Sequence, residues 1–155
     1  MPFTPYHFGP GALIKSVFPK YFSLIAFIFV QLVIDGETLY HLIKHEQPLH
    51  QLLHTYLGSN LAVIAAVFIY RPLHNFFIGE LTLGTTIISA AIGAYSHVFL
   101  DSIMHLEIKP LAPWITTNAM WGAIEVGHLQ LLCIYCGFAG FGILLLRQLI
   151  SKYQR

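Results

Sequence analysis

His97, Asp101 and His105 stand at four-residue intervals. On a helix such positions share one face, drifting by about 40° per step. An imidazole, a carboxylate and a second imidazole on one face form a half-site for one or two divalent ions. The plainer alternative is a buried hydrogen-bonded pair, His97 with Asp101. Three groups in register at the end of an apolar run favour the metal. His50 and His54 repeat the spacing in HQLLHT. Two neutral imidazoles one turn apart can chelate one ion, although two ordinary histidines in a solvated loop would look the same. Asp35, Glu37 and His41 sit where an apolar helix emerges. Asp35 falls nearly at membrane level, where a carboxylate is costly unless it has a task. His7 opens the preceding helix, and a down-then-up hairpin lays it beside Asp35. Glu125 and His128, three apart before the last apolar run, read as ligands or as a base with its orienting partner; first-turn helix charge is the competing explanation.

The other ionisable groups carry less. His45, Glu46 and Glu107 have no such register and read as solvated. His74 falls at the far end beside Arg71 and reads as structural. Cys133 and Cys136 form a lone CxxC inside an apolar run, where packing is the better explanation. GxSxG, P-loop, HExxH and GxGxxG patterns do not occur, which removes several common enzyme classes.

The elements that must position these groups are apolar rods. The chain has 155 residues, one domain's worth, of which 56% are hydrophobic and only 10% charged. Its mean hydropathy of +0.68 points to membrane embedding. The net charge of +1 offers no basic stripe for nucleic acid. Two cysteines make no disulfide framework. The start, MPFTPYHFGPG, lacks the features of a cleaved signal peptide, so insertion is expected to rely on internal helices. Residues 11–18 read as a short helix closed by Pro19, followed by apolar runs over 21–34, 57–70, 82–100 and 129–146. The last two approach the roughly 20 residues that cross a bilayer. Arg71-Pro72 is expected to close the run 57–70, with a polar link over 71–81. Gly137, Gly140 and Gly142 suggest close helix packing in the last run.

Running these five rods alternately down and up sorts the charges. One end collects Lys15, Lys20, Arg71, Arg147, Lys152 and Arg155, six of the eight basic residues. The other collects every histidine except His74 and every carboxylate except Glu80. The positive-inside rule then places the basic end in the cytoplasm and the histidine end outside it. The expected fold is an all-α, integral-membrane antiparallel bundle of about five helices in a single domain over 1–155, with a metal site at one end.

The order of groups also carries a likeness. A His before the first helix, an apolar helix ending in Asp-x-Glu, an H-x(3)-H-T element, and SHVFLDSIMH on a later apolar helix resemble the bacterial membrane-bound metal-dependent hydrolases. That family is related to the zinc-dependent phospholipase C and nuclease group. MPFTPYHFGPG, HTYLGS, YSHVFLDSIMH and KPLAPW carry the likeness over about residues 2–115. Asp35-Gly36-Glu37 and His50…His54 depart from the family's commoner Asp-x-Asp-His and His-Arg-Gly-x-Thr-His. The resemblance implies two or three clustered divalent ions, with zinc as the metal, and hydrolysis of a phosphoester. It maps His7, Asp35, His54, His97 and Asp101 onto the ligand pattern.

The function expected is cleavage of a lipid-linked or other small amphiphilic phosphate at the bacterial inner membrane, with the bilayer itself as a partner. Metal-activated water would be the nucleophile, and Glu37 or Glu125 the general base. Trp114, in a Pro-rich loop, would sit at the lipid–water interface. Two other classes use similar residues: a membrane di-iron oxidase or hydroxylase, and a non-catalytic membrane metal-binding protein. Metal content separates them, since iron marks the oxidase.

Overall fold

The computed structural model describes residues 4–153, and the described residues are helical with no strand. Arg155, counted above at the basic end, lies outside them. A single 3₁₀ turn (Thr4–His7) leads into α1 (Phe8–Val17). Helix α2 (Leu24–Lys44) is longer than its apolar run. Ser23 caps its N-terminus by accepting the Ala26 N–H at 3.2 Å, and the helix continues past Asp35 and Glu37. Thr82 caps α5 (Leu83–Met104) in the same way through the Thr85 N–H at 3.1 Å. Helix α6 (Val126–Tyr153) exceeds its run at both ends.

Arg71-Pro72 does not close the third rod. Helix α3 (Asn60–Ala65) passes through a π turn (Ala66–Tyr70) into α4 (Arg71–Phe77). The Arg71 N–H donates to Ala66 O, five residues back. Widening the ladder here accommodates Pro72, which has no N–H to give and whose ring would crowd an ordinary turn. Counting this interrupted rod once, the bundle has the five expected members.

Chain neighbours run in opposite directions, so the closest lateral pairs, α1 with α6 and α2 with α5, run in the same direction. Val30 and Ile34 of α2 meet Ala62, Ala66, Ala90 and Ala94 in the core. Leu100 and Ile103 of α5 meet Leu129 and Cys133 of α6, so Cys133 is a packing residue. Helices α2, α5 and α6 are each long and apolar enough to cross a membrane.

The glycines divide. A Cβ on Gly93 would lie 2.8 Å from Phe27 O, and one on Gly140 would lie 2.6 Å from backbone atoms of Ala12 and Leu13. Those positions let α2–α5 and α1–α6 approach closely. Gly142 has open space around it, so the packing explanation does not extend to it. Gly140→Ala is expected to cost about 1–3 kcal/mol through forced separation of α1 and α6. Gly142→Ala should leave the melting temperature in detergent unchanged or slightly higher. Equal melting of the two variants would contradict the α1–α6 contact.

Candidate metal centre

The helical register brings one turn of α5 to the middle of the bundle's end. His97 and Asp101 lie four residues apart on it, and both are fully buried. Four side chains from three other segments converge on them. Asp35 comes from α2, His7 from the turn before α1, His54 from the loop before α3, and Gln31 from one turn earlier on α2.

His97 Nε2 lies 3.2 Å from Asp101 Oδ2 and 3.4 Å from Asp35 Oδ1. His54 Nε2 lies 3.6 Å from Asp101 Oδ2. His7 Nε2 approaches the opposite oxygen, Asp101 Oδ1, at 3.4 Å. Asp35, His54, His97 and Asp101 each offer one donor atom, and all four atoms fall within 4.8 Å of one another. These separations are longer than the ~2.7–2.9 Å of a charge-assisted hydrogen bond. The pairs at 3.2, 3.4 and 3.6 Å are close to the ~3.3–3.6 Å edges of a tetrahedron of donors held ~2.0–2.2 Å from a zinc-like ion. His7 Nε2, His97 Nε2 and both Asp101 oxygens are buried with no hydrogen-bond partner among the described residues. Each such orphan costs about 1–3 kcal/mol. Several orphans gathered around one carboxylate are costly as a core and well suited to a cation. The residues therefore fit a divalent metal ion.

The surrounding groups fix which nitrogen faces the centre. The Gln31 carbonyl oxygen accepts from His97 Nδ1–H in a short hydrogen bond, which leaves Nε2 as the donor atom toward Asp101 and Asp35. His54 Nδ1–H donates to Glu37 Oε2 at 3.2 Å, which turns its Nε2 toward Asp101. Glu37 also accepts the Leu53 N–H at 2.9 Å and the Gln51 N–H at 3.2 Å. It thus ties the His54 loop to α2. His7 is almost wholly buried, and burial lowers its pKa to about 4 despite the opposing pull of Asp101. Its ring is neutral at pH 7, with a lone pair to offer.

A second group lies beside the first. His50 Nδ1 is 2.9 Å from Glu107 Oε1, and His105 Nδ1 is 3.8 Å from the same oxygen. Burial lowers the pKa of both His50 and His105. Burial would raise that of Glu107, but hydrogen bonds from its own backbone and from His50 outweigh it and hold the carboxyl low.

Several expected roles are redistributed. His105 is not on the helical face with His97 and Asp101. Helix α5 ends at Met104, and His105 is its extended C-cap. Asn118 Nδ2 donates to Ser102 O at 2.7 Å and His105 O at 2.9 Å, satisfying helix-end carbonyls and steering the chain away. His50 and His54 lie in turns rather than on a helix. Their rings meet edge-on with centroids 4.6 Å apart, and they serve different groups. His41 pairs with Glu46 at 2.7 Å, outside the cluster. Glu125 and His128 pair with each other at 2.9 Å with side chains mostly exposed, and the structure does not bring them to the centre. Glu37 is occupied in holding His54 and its loop, and Glu107 is paired rather than solvated. Gln31 is the participant that sequence reasoning passed over. Its signal was present, as a lone amide within an apolar run, one helical turn before Asp35.

No protein-family model, curated protein or solved structure matches the chain.

Proposed function

We propose that the protein is a membrane-bound, metal-dependent hydrolase that cleaves a phosphoester, with zinc as its metal. The observation that carries this is the convergence of the buried, otherwise unpartnered donor atoms of His7, His97 and Asp101, with His54 beside them, at metal-ligand spacing. The sequence likeness to bacterial membrane hydrolases supports the reaction class.

A divalent ion held by these residues would supply Lewis acidity, acidifying a water and offsetting phosphoryl charge. The chain's own contribution is positional. Gln31 and Glu37 hold the ring tautomers of His97 and His54, and Asp101 offers one oxygen to each side of the centre. Asp35 keeps a quarter of its side chain exposed, so it is the carboxylate of the central group that solvent reaches. It takes over the proton-accepting role that sequence reasoning gave to Glu37 or Glu125. The described basic residues of the far end (Lys15, Lys20, Arg71, Arg147 and Lys152) favour a cytoplasmic location for that end of a bacterial inner-membrane protein, with the centre on the other side. Trp114 is three-quarters exposed near the centre's end of the bundle, as suits a lipid–water interface.

Protein purified in detergent without a histidine tag is expected to carry zinc and to hydrolyse bis(p-nitrophenyl) phosphate. Chelation should remove the activity and zinc restore it. Iron with oxygen consumption would replace this reading by an oxidase, and metal-free protein that takes up no zinc would end it.

A further inference from the structure

We propose that His50, His105 and Glu107 form a second divalent-cation site, distinct from the His97–Asp101 centre and opening on the surface groove beside it. Donor atoms of the three residues fall within 4.8 Å of one another. The two imidazoles stack with centroids 4.5 Å apart and planes inclined by 29°. The Glu107 carboxylate oxygen faces both rings, at 2.9 Å from His50 and 3.8 Å from His105. Only the first of these is hydrogen-bond length. His105 Nε2 is buried with no partner, and the His50 side chain is almost wholly buried. A lone histidine–glutamate hydrogen bond needs no second ring with its Nδ1 turned to the same carboxylate oxygen, and a cation gives that ring a purpose. Two imidazoles with one carboxylate select zinc and similar transition metals over calcium or magnesium.

Two segments are held together to build this site. Tyr56 N–H donates to Pro110 O at 2.9 Å, joining the loop that carries His50 to the loop that carries Glu107. His54 lies between the two sites, its ring centroid 4.6 Å from that of His50 and 5.4 Å from that of His97. In the main centre His54, His97 and Asp101 are buried and Asp35 is part-exposed. The second site borders a groove of about 470 Å³ lined by His50, Gln51, Glu107, Lys109 and Pro113. A ligand arriving along the groove meets the second ion first. The site rests on its own residues and stands whether or not the central ion serves hydrolysis.

The test is metal stoichiometry, by mass spectrometry of untagged protein equilibrated with zinc in detergent and freed of excess. Wild type should hold about two zinc equivalents per chain, one per group. His105→Ala and Glu107→Gln should each lose about one and keep the other. Glu107 is half-exposed, so Glu107→Gln is the variant least able to disturb folding, and an unchanged gel-filtration profile checks this. Stoichiometry unaffected by either substitution overturns the second site, whether wild type holds one equivalent or two. One equivalent lost only on changing Asp101 leaves the main centre standing and removes this one. No zinc in wild type removes both.

Discussion

Asp101→Ala is expected to lose the central ion and, with it, at least about 10³-fold in phosphoesterase turnover, while still folding. The first half follows from position. Asp101 presents one oxygen to His7 and the other to His54 and His97, so its removal takes the shared anion from every histidine of the centre. A metal's Lewis-acid contribution is several kcal/mol, and each 1.36 kcal/mol is a factor of ten in rate. Burial sets how stable that fold is. Asp101 is the anion that His7, His54 and His97 share, and removing one partner of a buried pair costs about 3–5 kcal/mol. The apo variant should therefore melt below apo wild type, in a transition that is still cooperative. The difference that reports the metal appears on adding zinc. At one hundred times its Kd, zinc should stabilise wild type by about 2.7 kcal/mol, and the variant by clearly less. A variant that retains wild-type zinc content and zinc-dependent stabilisation would remove Asp101 from the centre.

The parts of this site that were legible in sequence are those governed by helical period. His97 and Asp101, one turn apart at the end of a long apolar run, lie where that spacing puts them. Asp35 could be placed because a carboxylate at the end of a greasy helix needs a partner. The sorting of basic and histidine-bearing ends placed His7 near Asp35 across an unrelated stretch of chain. What stayed hidden was governed by loops. Nothing in HQLLHT shows that His50 and His54 lie in turns and face different neighbours. Nor does SIMHLE show that α5 stops at Met104, because Asn118, a residue from the next loop, caps the end. The same limit explains Arg71-Pro72. Proline ordinarily ends a helix, and only the neighbouring rods decide that a π turn can carry it onward.

Glu37 decides between positioning and proton transfer. It binds three donors at once: the Leu53 and Gln51 N–H groups and His54 Nδ1–H. Glu37→Ala should weaken zinc affinity about 10–100-fold, the usual effect of losing a carboxylate that orients a ligating imidazole. It should also cost about 1–3 kcal/mol of stability, since the partly buried Leu53 N–H loses its acceptor. Glu37→Gln separates the two effects. Its amide oxygen can still accept from the loop, so most of the stability returns. Without the negative charge His54 is a poorer donor, and the affinity defect remains. Positioning therefore predicts a larger Kd for zinc and a turnover that recovers when zinc is raised to saturation. A general base predicts the reverse, with metal content untouched and kcat lost at every zinc concentration. Turnover of Glu37→Gln that recovers as zinc saturates would leave Asp35, the solvent-reachable carboxylate of the central group, as the residue to take the proton.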